Sequence, residues 1–249
     1  MRKILIAFIF FLFPAIAFSQ VLNIEEERIK TDTTGWAGDA VVSFQLLKSD
    51  DQLVDLGTRL HLQYKTKRSL YLMLSDYSFV KAGADEYANS GFQHLRYNYK
   101  IKDWYTWEAF TQAQFNKVLS LKFRGLMGTG PRFKVIKTKS FRLYFAWLYM
   151  FEYEEIEQNS EINRNHRISS YVSFSWKLND VLSLVNTTYY QPMINNFSDF
   201  RISAQTDLKI KISGKFSFSL GYNHYYDTDP PEGVVNTIYS LDNKLSFEF

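Results

Sequence analysis

Apolar and polar residues alternate along almost the entire chain after residue 35. The segment DFRISAQTDLKIKIS places apolar side chains on one parity and mostly polar side chains on the other; the apolar set is Phe200, Ile202, Ala204, Leu208, Ile210 and Ile212. A period of two residues is typical of a β-strand with one apolar and one polar face. Helical spacing is nowhere as strong, so the pattern predicts an all-β protein.

The alternating runs predict about twelve strands, most of them long enough to cross a membrane at a tilt. They lie at 36–47, 53–64, 69–77, 91–101, 104–115, 118–135, 141–155, 166–178, 181–191, 199–212, 215–227 and 239–249. The connections after strands 2, 4, 6, 8 and 10 are short, whereas those after strands 3, 7, 9 and 11 are expected to run to about ten residues. Two connections on the long side, KSDD and NK, are short exceptions. Short turns at one end and longer loops at the other are typical of outer-membrane barrels.

The predicted fold is therefore a closed antiparallel transmembrane β-barrel with short periplasmic turns and longer extracellular loops. In lipid every backbone amide must be paired within the protein, so the last strand is expected to pair with the strand that begins at Trp36. A soluble β-sandwich is the alternative, because its strands also alternate. Sandwich strands are usually shorter than these, which favours the barrel.

The first residues have the parts of a secretory signal peptide. Arg2 and Lys3 form a basic start, an apolar run extends from Ile4, and small residues stand at the spacing that a signal peptidase requires. An uncleaved anchor is the alternative, but the run is shorter than the roughly 20 residues of a spanning helix and contains Pro14. The predicted organisation is a signal peptide at 1–19, an N-terminal segment at 20–35 and one barrel domain at 36–249.

Charge and cysteine content exclude several classes of protein. The chain has 29 Lys and Arg against 26 Asp and Glu, and removal of Arg2 and Lys3 leaves 27 against 26. A nearly neutral exported chain offers no bulk attraction to nucleic acid. The chain contains no Cys, which excludes disulfides and the lipid-anchored cysteine of a lipoprotein.

The polar faces of the strands are expected to line the lumen. Across the turn KTKS, Lys122 and Arg124 are expected to lie opposite Glu154 and Glu152 as two cross-strand ion pairs. The other predicted lumen-lining residues are Arg59, His61, Arg201, Asp207 and Lys209. Such charges fit an electrostatic filter along a pore or ion pairs that plug a small barrel. The plug is favoured because twelve strands enclose a narrow lumen.

One histidine comes close to a carboxylate in the predicted register. A first hairpin that turns at residues 49–51 would set His61 opposite Asp39, with Ser43 four residues further along the first strand. These are the groups of a hydrolase, but Ser43 would lie about 13 Å from Asp39, too far for a simple triad. His61 and Asp39 are therefore weak catalytic candidates. The chain has no Cys, no closely spaced His pair and no glycine-rich phosphate loop, so no metal or cofactor is expected.

Charges are sorted between the two predicted rims. Basic residues such as Lys67, Arg68 and Lys102 cluster at the short turns, whereas acidic residues such as Asp85, Asp227 and Asp229 gather at the long connections. Basic turns suit the phospholipid headgroups of the inner leaflet, and acidic loops could share divalent cations with lipopolysaccharide phosphates. The expected partners are therefore phospholipid and lipopolysaccharide. Simple solvation of these charges is the alternative.

Two stretches, WAGDAVVSFQL and SLKFRGLMGTGPRFKVIKTKSFRLYFAWLYMFEYEE, resemble the salt-induced outer-membrane protein family. The resemblance spans roughly residues 34 to 249 and implies a barrel whose biochemical function is not established. It also implies that the terminal strand, with Phe247 and Phe249, is presented to the barrel assembly machinery. The turn LLKSDDQLVD departs from the Ser-Gly-Asn-Thr-like turn of the family.

These observations together predict a protein of the bacterial outer membrane that has no catalytic activity. The expected role is structural, related to envelope stress, or that of a weakly conducting narrow pore. The alternative is an outer-membrane lipid or peptide hydrolase.

Overall fold

The computed structural model describes residues 34–48, 52–158, 161–214 and 216–247. These residues form twelve strands: β1 Gly35–Lys48, β2 Gln52–Lys65, β3 Ser69–Ala82, β4 Asp85–Lys102, β5 Tyr105–Asn116, β6 Leu121–Lys137, β7 Phe141–Ile156, β8 Ile162–Lys177, β9 Leu182–Met193, β10 Asn196–Lys211, β11 Phe216–Asp227 and β12 Thr237–Phe247. A 3-10 helix, Lys117–Leu119, lies between β5 and β6. The predicted signal peptide at 1–19 and most of the segment at 20–35 lie outside the described residues.

The strands form one antiparallel sheet in which each strand pairs with its neighbours in the chain. The predicted all-β fold and the number of strands are confirmed. Among the described residues, no helix is long and apolar enough to span a membrane.

The sheet curls around a common interior, so that strands distant in the sheet touch. The Tyr171 hydroxyl on β8 donates to Glu108 Oε2 on β5 at 2.7 Å. Ile238 on β12 belongs to the same buried cluster as Leu121 on β6 and Tyr225 on β11. These contacts between strands that are not neighbours give the sheet the form of a barrel.

The burial pattern follows the predicted alternation. From Tyr144 to Ile156 on β7, every even-numbered residue is buried and every odd-numbered residue is more exposed. Large apolar side chains on the outward parity are exposed, including Phe145, Trp147 and Tyr149. An apolar exterior of this size suits contact with hydrocarbon and not with water.

The two outermost strands of the sheet are β1 and β12. Among residues 35–48 and 237–247, no ladder of hydrogen bonds joins the two strands. Their outward side chains Val42, Phe44, Tyr239 and Leu241 are all highly exposed. The predicted pairing of the last strand with the strand that begins at Trp36 therefore stays a prediction.

The connections differ from the prediction at one end of the barrel. β3 continues to Ala82 and β4 begins at Asp85, so the predicted loop of about ten residues is a two-residue turn in which Gly83 has a φ of 61°. The connection after β9 is also two residues long, and the one between Ile156 of β7 and Ile162 of β8 is five. The prediction of long loops at these three places was wrong, because the backbones of the strands stay paired beyond the point where the apolar alternation stops.

The two ends of the barrel are named here by their connections. The turn end carries residues 66–68, 103–104, 138–140, 178–181 and 212–214, together with the start of β1. Among the described residues, the loop end carries 83–84, 117–120, 157–158, 161, 194–195 and 228–236. The last of these, with nine residues, is the longest connection between the strands described here.

Candidate functional site

The candidate site is the interior of the barrel, where inward side chains from most strands meet. Two glycines on β6 make room for this packing. A Cβ atom on Gly128 would lie 2.5 Å from Cε1 of Phe110, and a Cβ atom on Gly130 would lie 2.4 Å from the carbonyl oxygen of Trp147. Real Cβ atoms do not approach other atoms so closely, so both positions need glycine. Side chains and backbone of β5 and β7 thereby come close to β6.

Buried charges of both signs fill the half of the interior towards the loop end. The acid–arginine cluster comprises Arg124, Glu152, Glu154, Arg167, Asp199, Arg201 and Asp227, from strands β6, β7, β8, β10 and β11. Three guanidinium groups thus face four carboxylates. Every one of these side chains is buried, and buried charges are stable only when they are paired and hydrogen-bonded.

Arg201 connects three acidic residues of the cluster. Its Nε donates to Asp227 Oδ2 at 2.7 Å and its Nη2 donates to Glu154 Oε2 at 3.1 Å. Its Nη1 donates to Glu152 Oε1. β7 and β10 are not adjacent in the sheet, so these bonds cross the lumen. The Tyr225 hydroxyl adds a second donor to Asp227 Oδ2, at 3.0 Å.

Arg124 and Arg167 hold the other sides of the same carboxylates. Arg124 pairs with Glu154, which lies directly opposite it on β7, and its Nε lies 3.4 Å from Glu152 Oε1. Arg167 Nε donates to Glu152 Oε2 at 2.8 Å, and its Nη2 lies 2.9 Å from Asp199 Oδ1. Charge-assisted bonds of this kind are the strong ones in proteins. The cluster therefore ties five strands together through side chains.

An apolar layer lies next to the acid–arginine cluster on the side of the turn end. Its members are Leu72, Leu74, Phe110, Ala146, Leu148, Met150, Tyr171 and Tyr189. Leu148 and Met150 are each 1% exposed although they lie in the middle of β7. Together with the acid–arginine cluster, this layer fills the interior along β5 to β10.

A second ionic group lies beside the apolar layer and nearer the turn end. Arg96 Nη1 donates to Glu108 Oε2 at 2.8 Å, and Arg132 Nε lies 3.7 Å from Glu108 Oε1. The guanidinium carbon of Arg132 lies 3.6 Å from the ring centroid of Tyr144, a cation–π contact. The Glu108 carboxylate, which is fully buried, therefore sits between two arginines.

The predicted pairing across the KTKS turn was wrong in its register. Arg124 lies opposite Glu154 and not Glu152, and Lys122 Nζ pairs with Glu155 Oε1 at 2.5 Å. The turn is centred further along the chain than expected, with Lys137 opposite Arg142, and an irregularity between Lys134 and Ile136 shifts the pairing again. The Lys122 side chain is 56% exposed and lies outside the acid–arginine cluster.

The other predicted lumen residues fall into two environments. Arg124, Glu152, Glu154 and Arg201 belong to the buried cluster, as described above. Arg59, by contrast, is 55% exposed and bonds to Asp76 Oδ2 at 3.0 Å on the neighbouring β3. On β10, Asp207 is partly buried and Lys209 is exposed. The interior is thus filled along β5 to β10 and more accessible at Arg59, although His61 on the same strand is 2% exposed.

The structure brings Asp39 and His61 together but does not build a catalytic triad. The two residues lie opposite each other on β1 and β2, and His61 Nδ1 is 3.1 Å from Asp39 Oδ1. Ser43 lies opposite Gly57 and donates to its carbonyl oxygen at 3.4 Å. The hydroxyl is therefore four residues away from the pair along the strand, and the hydrolase alternative is not supported.

Several members of both ionic groups were not predicted from the sequence, namely Arg96, Glu108, Arg132, Arg167 and Asp199. Each lies on a strand whose buried parity could be read from its apolar alternation, which is the signal that could have found them. Asp227 had been expected among the exposed acidic residues of the loop end, but it is 2% exposed. Within the described ranges, no three His, Asp or Glu side chains are placed to hold a metal ion.

The predicted assembly signal is described only in part. The backbone of Phe247 pairs with that of Phe216 at the turn end of β12. Phe249 lies outside the described residues.

Fold and interior together define a twelve-stranded antiparallel β-barrel of the outer-membrane type. The chain belongs to the family described as "Protein of unknown function, DUF481", which matches residues 40–249. The name of the salt-induced family, expected from the resemblance, stays a prediction. No curated protein is similar to this chain in sequence.

Several solved structures resemble the chain distantly. The NanC porin has 11% sequence identity and a TM-score of 0.49, with 84% of this chain and 99% of the porin covered. The KdgM porin has 9% identity and a TM-score of 0.46, with 86% and 99% covered. The translocator domain of autotransporter NalP from Neisseria meningitidis has 11% identity and a TM-score of 0.42, with 90% and 92% covered.

Proposed function

We propose that this protein is a barrel of the bacterial outer membrane whose lumen is closed at rest, with a structural role in the envelope. The observation that carries the proposal is the filled interior along β5 to β10. Leu148, Met150 and Arg167 are each 1% exposed, so water has no wide path along this wall. Solutes would need the side chains to move before they could pass.

The outer-membrane location is supported by the apolar exterior, by the predicted signal peptide and by the family resemblance. Separation of inner and outer membranes on a density gradient tests this part directly. We expect the protein in the dense outer-membrane fraction. Recovery in the inner-membrane or soluble fraction would contradict the location, whatever the state of the lumen.

Conductance of single barrels in planar lipid bilayers tests the closed lumen. We expect the wild-type protein to show no steady conductance. The double variant Glu152→Ala/Arg201→Ala should conduct more, because it removes two large side chains that meet in the lumen. Lys122→Ala is the matched control, since Lys122 is exposed and outside the acid–arginine cluster. A large, steady conductance of the wild-type protein would contradict the proposal.

A weakly conducting pore is the second candidate, and one observation favours it. The Arg59 and Asp39 side chains are 55% and 43% exposed on the inward faces of β2 and β1, so a narrow aqueous path would run past these two side chains. If such a pore exists, Arg59→Glu should shift its selectivity towards cations, because the charge lining the path changes sign. Unchanged selectivity would exclude this path.

A role in envelope stress is supported by the family resemblance alone. Quantitative immunoblotting before and after a rise in salt concentration tests it. We expect the amount of protein per cell to rise. A constant amount would leave the structural role without its stress component.

A further inference from the structure

A large apolar groove lies on the outward face of the barrel and spans β2 to β7. Its volume is about 1040 Å³. One row of directly paired residues crosses all six strands: Tyr64, Tyr71, Tyr97, Ala109, Thr129 and Tyr149. The groove lies on the face that carries the apolar exterior, so it is open to the surrounding membrane.

Small residues form the floor of the groove. Ala109 and Thr129 stand in the row between the much larger Tyr97 and Tyr149. The Thr129 hydroxyl donates to the Glu108 carbonyl oxygen at 2.9 Å, and the nearby Thr111 hydroxyl donates to the Leu126 carbonyl oxygen at 3.1 Å. Because these hydroxyls already donate to carbonyl groups of the barrel, the floor suits an apolar occupant.

The groove runs diagonally from the turn end towards the middle of the membrane. Tyr64 is the penultimate residue of β2, at the turn end, whereas Tyr149 lies eight residues from the turn end of β7. Six strands at a spacing of about 4.8 Å span about 24 Å. Strands tilted by roughly 35–45° make this row climb about 14–17 Å, or about half of a hydrocarbon core of roughly 30 Å. The groove therefore has the reach of one leaflet.

Aromatic rings mark the entrance at the turn end. The rings of Trp36 and Tyr64 lie 4.9 Å apart between centroids, as do those of Tyr71 and Tyr97. The Tyr97 hydroxyl is 3.2 Å from Oγ of Ser69, the first residue of β3. Aromatic residues of this kind sit at the level of lipid headgroups.

Basic side chains surround this entrance. Lys67 and Arg68 are exposed in the turn between β2 and β3. The backbone amide of Lys100 donates to the Arg68 carbonyl oxygen at 2.7 Å, which brings the end of β4 with Lys100 and Lys102 beside that turn. Asp103 is the acidic neighbour, with Oδ1 3.5 Å from Lys100 Nζ. Four cations beside one carboxylate favour an anionic headgroup.

We propose that the groove binds one anionic phospholipid from the leaflet at the turn end. The acyl chain lies along the small-residue floor, and the phosphate lies against Lys67 and Arg68. Charge complementarity and the reach of one leaflet argue for this occupant. The inference rests on the membrane location proposed above.

Native mass spectrometry of the full chain tests the inference. The protein is released from nanodiscs that contain phosphatidylglycerol and phosphatidylethanolamine in equal amounts. We expect the wild-type barrel to retain one phosphatidylglycerol and to prefer it over phosphatidylethanolamine. Each cation near a membrane surface contributes about fivefold to the affinity for anionic lipid, so Lys67→Gln/Arg68→Gln should weaken retention about 25-fold. Lys137→Gln/Lys139→Gln, in another basic turn, is the matched control and should retain the lipid.

A second pair of variants tests the groove itself. Ala109→Phe fills the floor and should abolish retention with all the basic residues intact. Ala113→Phe, on the outward face of the same strand but outside the groove, should not. Equal retention by Ala109→Phe and Ala113→Phe, or equal retention of both lipids by the wild type, would overturn the inference. So would a dimer that Ala109→Phe dissociates, because the occupant would then be a second copy. If Lys67→Gln/Arg68→Gln and Ala109→Phe enter nanodiscs but lose no lipid, only this inference is overturned. If the wild-type protein fails to enter nanodiscs, the membrane location is overturned.

Discussion

Arg201 on β10 donates a hydrogen bond of 3.1 Å to Glu154 on β7, across the interior and past the two strands that separate them in the sheet. The two residues are 47 positions apart in the chain. A guanidinium group in this position neutralises carboxylates that would otherwise be buried with too little positive charge.

We predict that Arg201→Met destabilises the barrel by about 3–5 kcal/mol, because the methionine keeps the volume but leaves buried carboxylates without a partner. Urea-induced unfolding of the protein in detergent micelles measures the change. Arg59→Met is the matched control. The Arg59 side chain is 55% exposed, so its ion pair with Asp76 should contribute less than about 1 kcal/mol. Equal losses for the two variants would mean that the cluster contributes no more than a surface pair.

The glycines of β6 give a second prediction. Gly130→Ala should cost about 1–3 kcal/mol of stability, because the added Cβ atom would meet the backbone of β7 and force the two strands apart. In Gly125→Ala the nearest atom is Cε1 of the Phe123 side chain, 3.3 Å away, which can move. The Gly125 variant should therefore have a urea unfolding midpoint close to that of the wild type. Urea unfolding midpoints compare the two, and a destabilised Gly125→Ala beside a neutral Gly130→Ala would contradict the packing described here.

Closure of the barrel between β1 and β12 can be tested by disulfide formation, because the chain has no Cys of its own. We predict that Val41→Cys cross-links with Ser240→Cys or Asp242→Cys in the membrane, since these positions share the inward parity and strand edges cannot stay unpaired in lipid. Val42→Cys with Asp242→Cys has mismatched parity and serves as the control. Faster migration of the oxidised protein in unreduced gels reports the bond. An absent cross-link in all inward pairs would mean that the edges are covered by something else.

The predicted assembly signal can be tested at the last residue. Deletion of Phe249 should lower the amount of protein in the outer membrane of the cell while refolding in detergent persists, because one aromatic side chain contributes only about 1.5–3 kcal/mol by burial. Immunoblots of membrane fractions at equal expression measure the effect. Wild-type amounts of the truncated protein would show that the assembly machinery does not need Phe249.

The alternation of apolar and polar residues predicted the fold well, because one face of each strand meets an apolar surrounding and the other meets the interior. It did not predict the register between β6 and β7, which depends on the position of the turn after Lys137 and on an irregularity near Val135. The position of the turn leaves the alternation within the strands unchanged, and the irregularity disturbs it only at the adjacent exposed residues Val135 and Ile136.

Parity also could not show which charges meet across the lumen. Arg167 bonds to Glu152 on the neighbouring strand, but Arg201 reaches the same residue from β10. That contact depends on how strongly the sheet curls, which is set by the packing of all the strands together. Local sequence carries little information about it, so Arg167, Asp199 and Asp227 were missed as members of the cluster.

The arrangement of the acid–arginine cluster constrains the order in which the chain can enter a bilayer. β7 carries two carboxylates whose positive partners are supplied by β6, β8 and β10. If β7 crossed the hydrocarbon before β10, it would carry acidic groups that are only partly neutralised, at a considerable cost in free energy. The segment from β6 to β11 is therefore expected to insert as one cooperative unit, with the sheet already curled when the charges leave water.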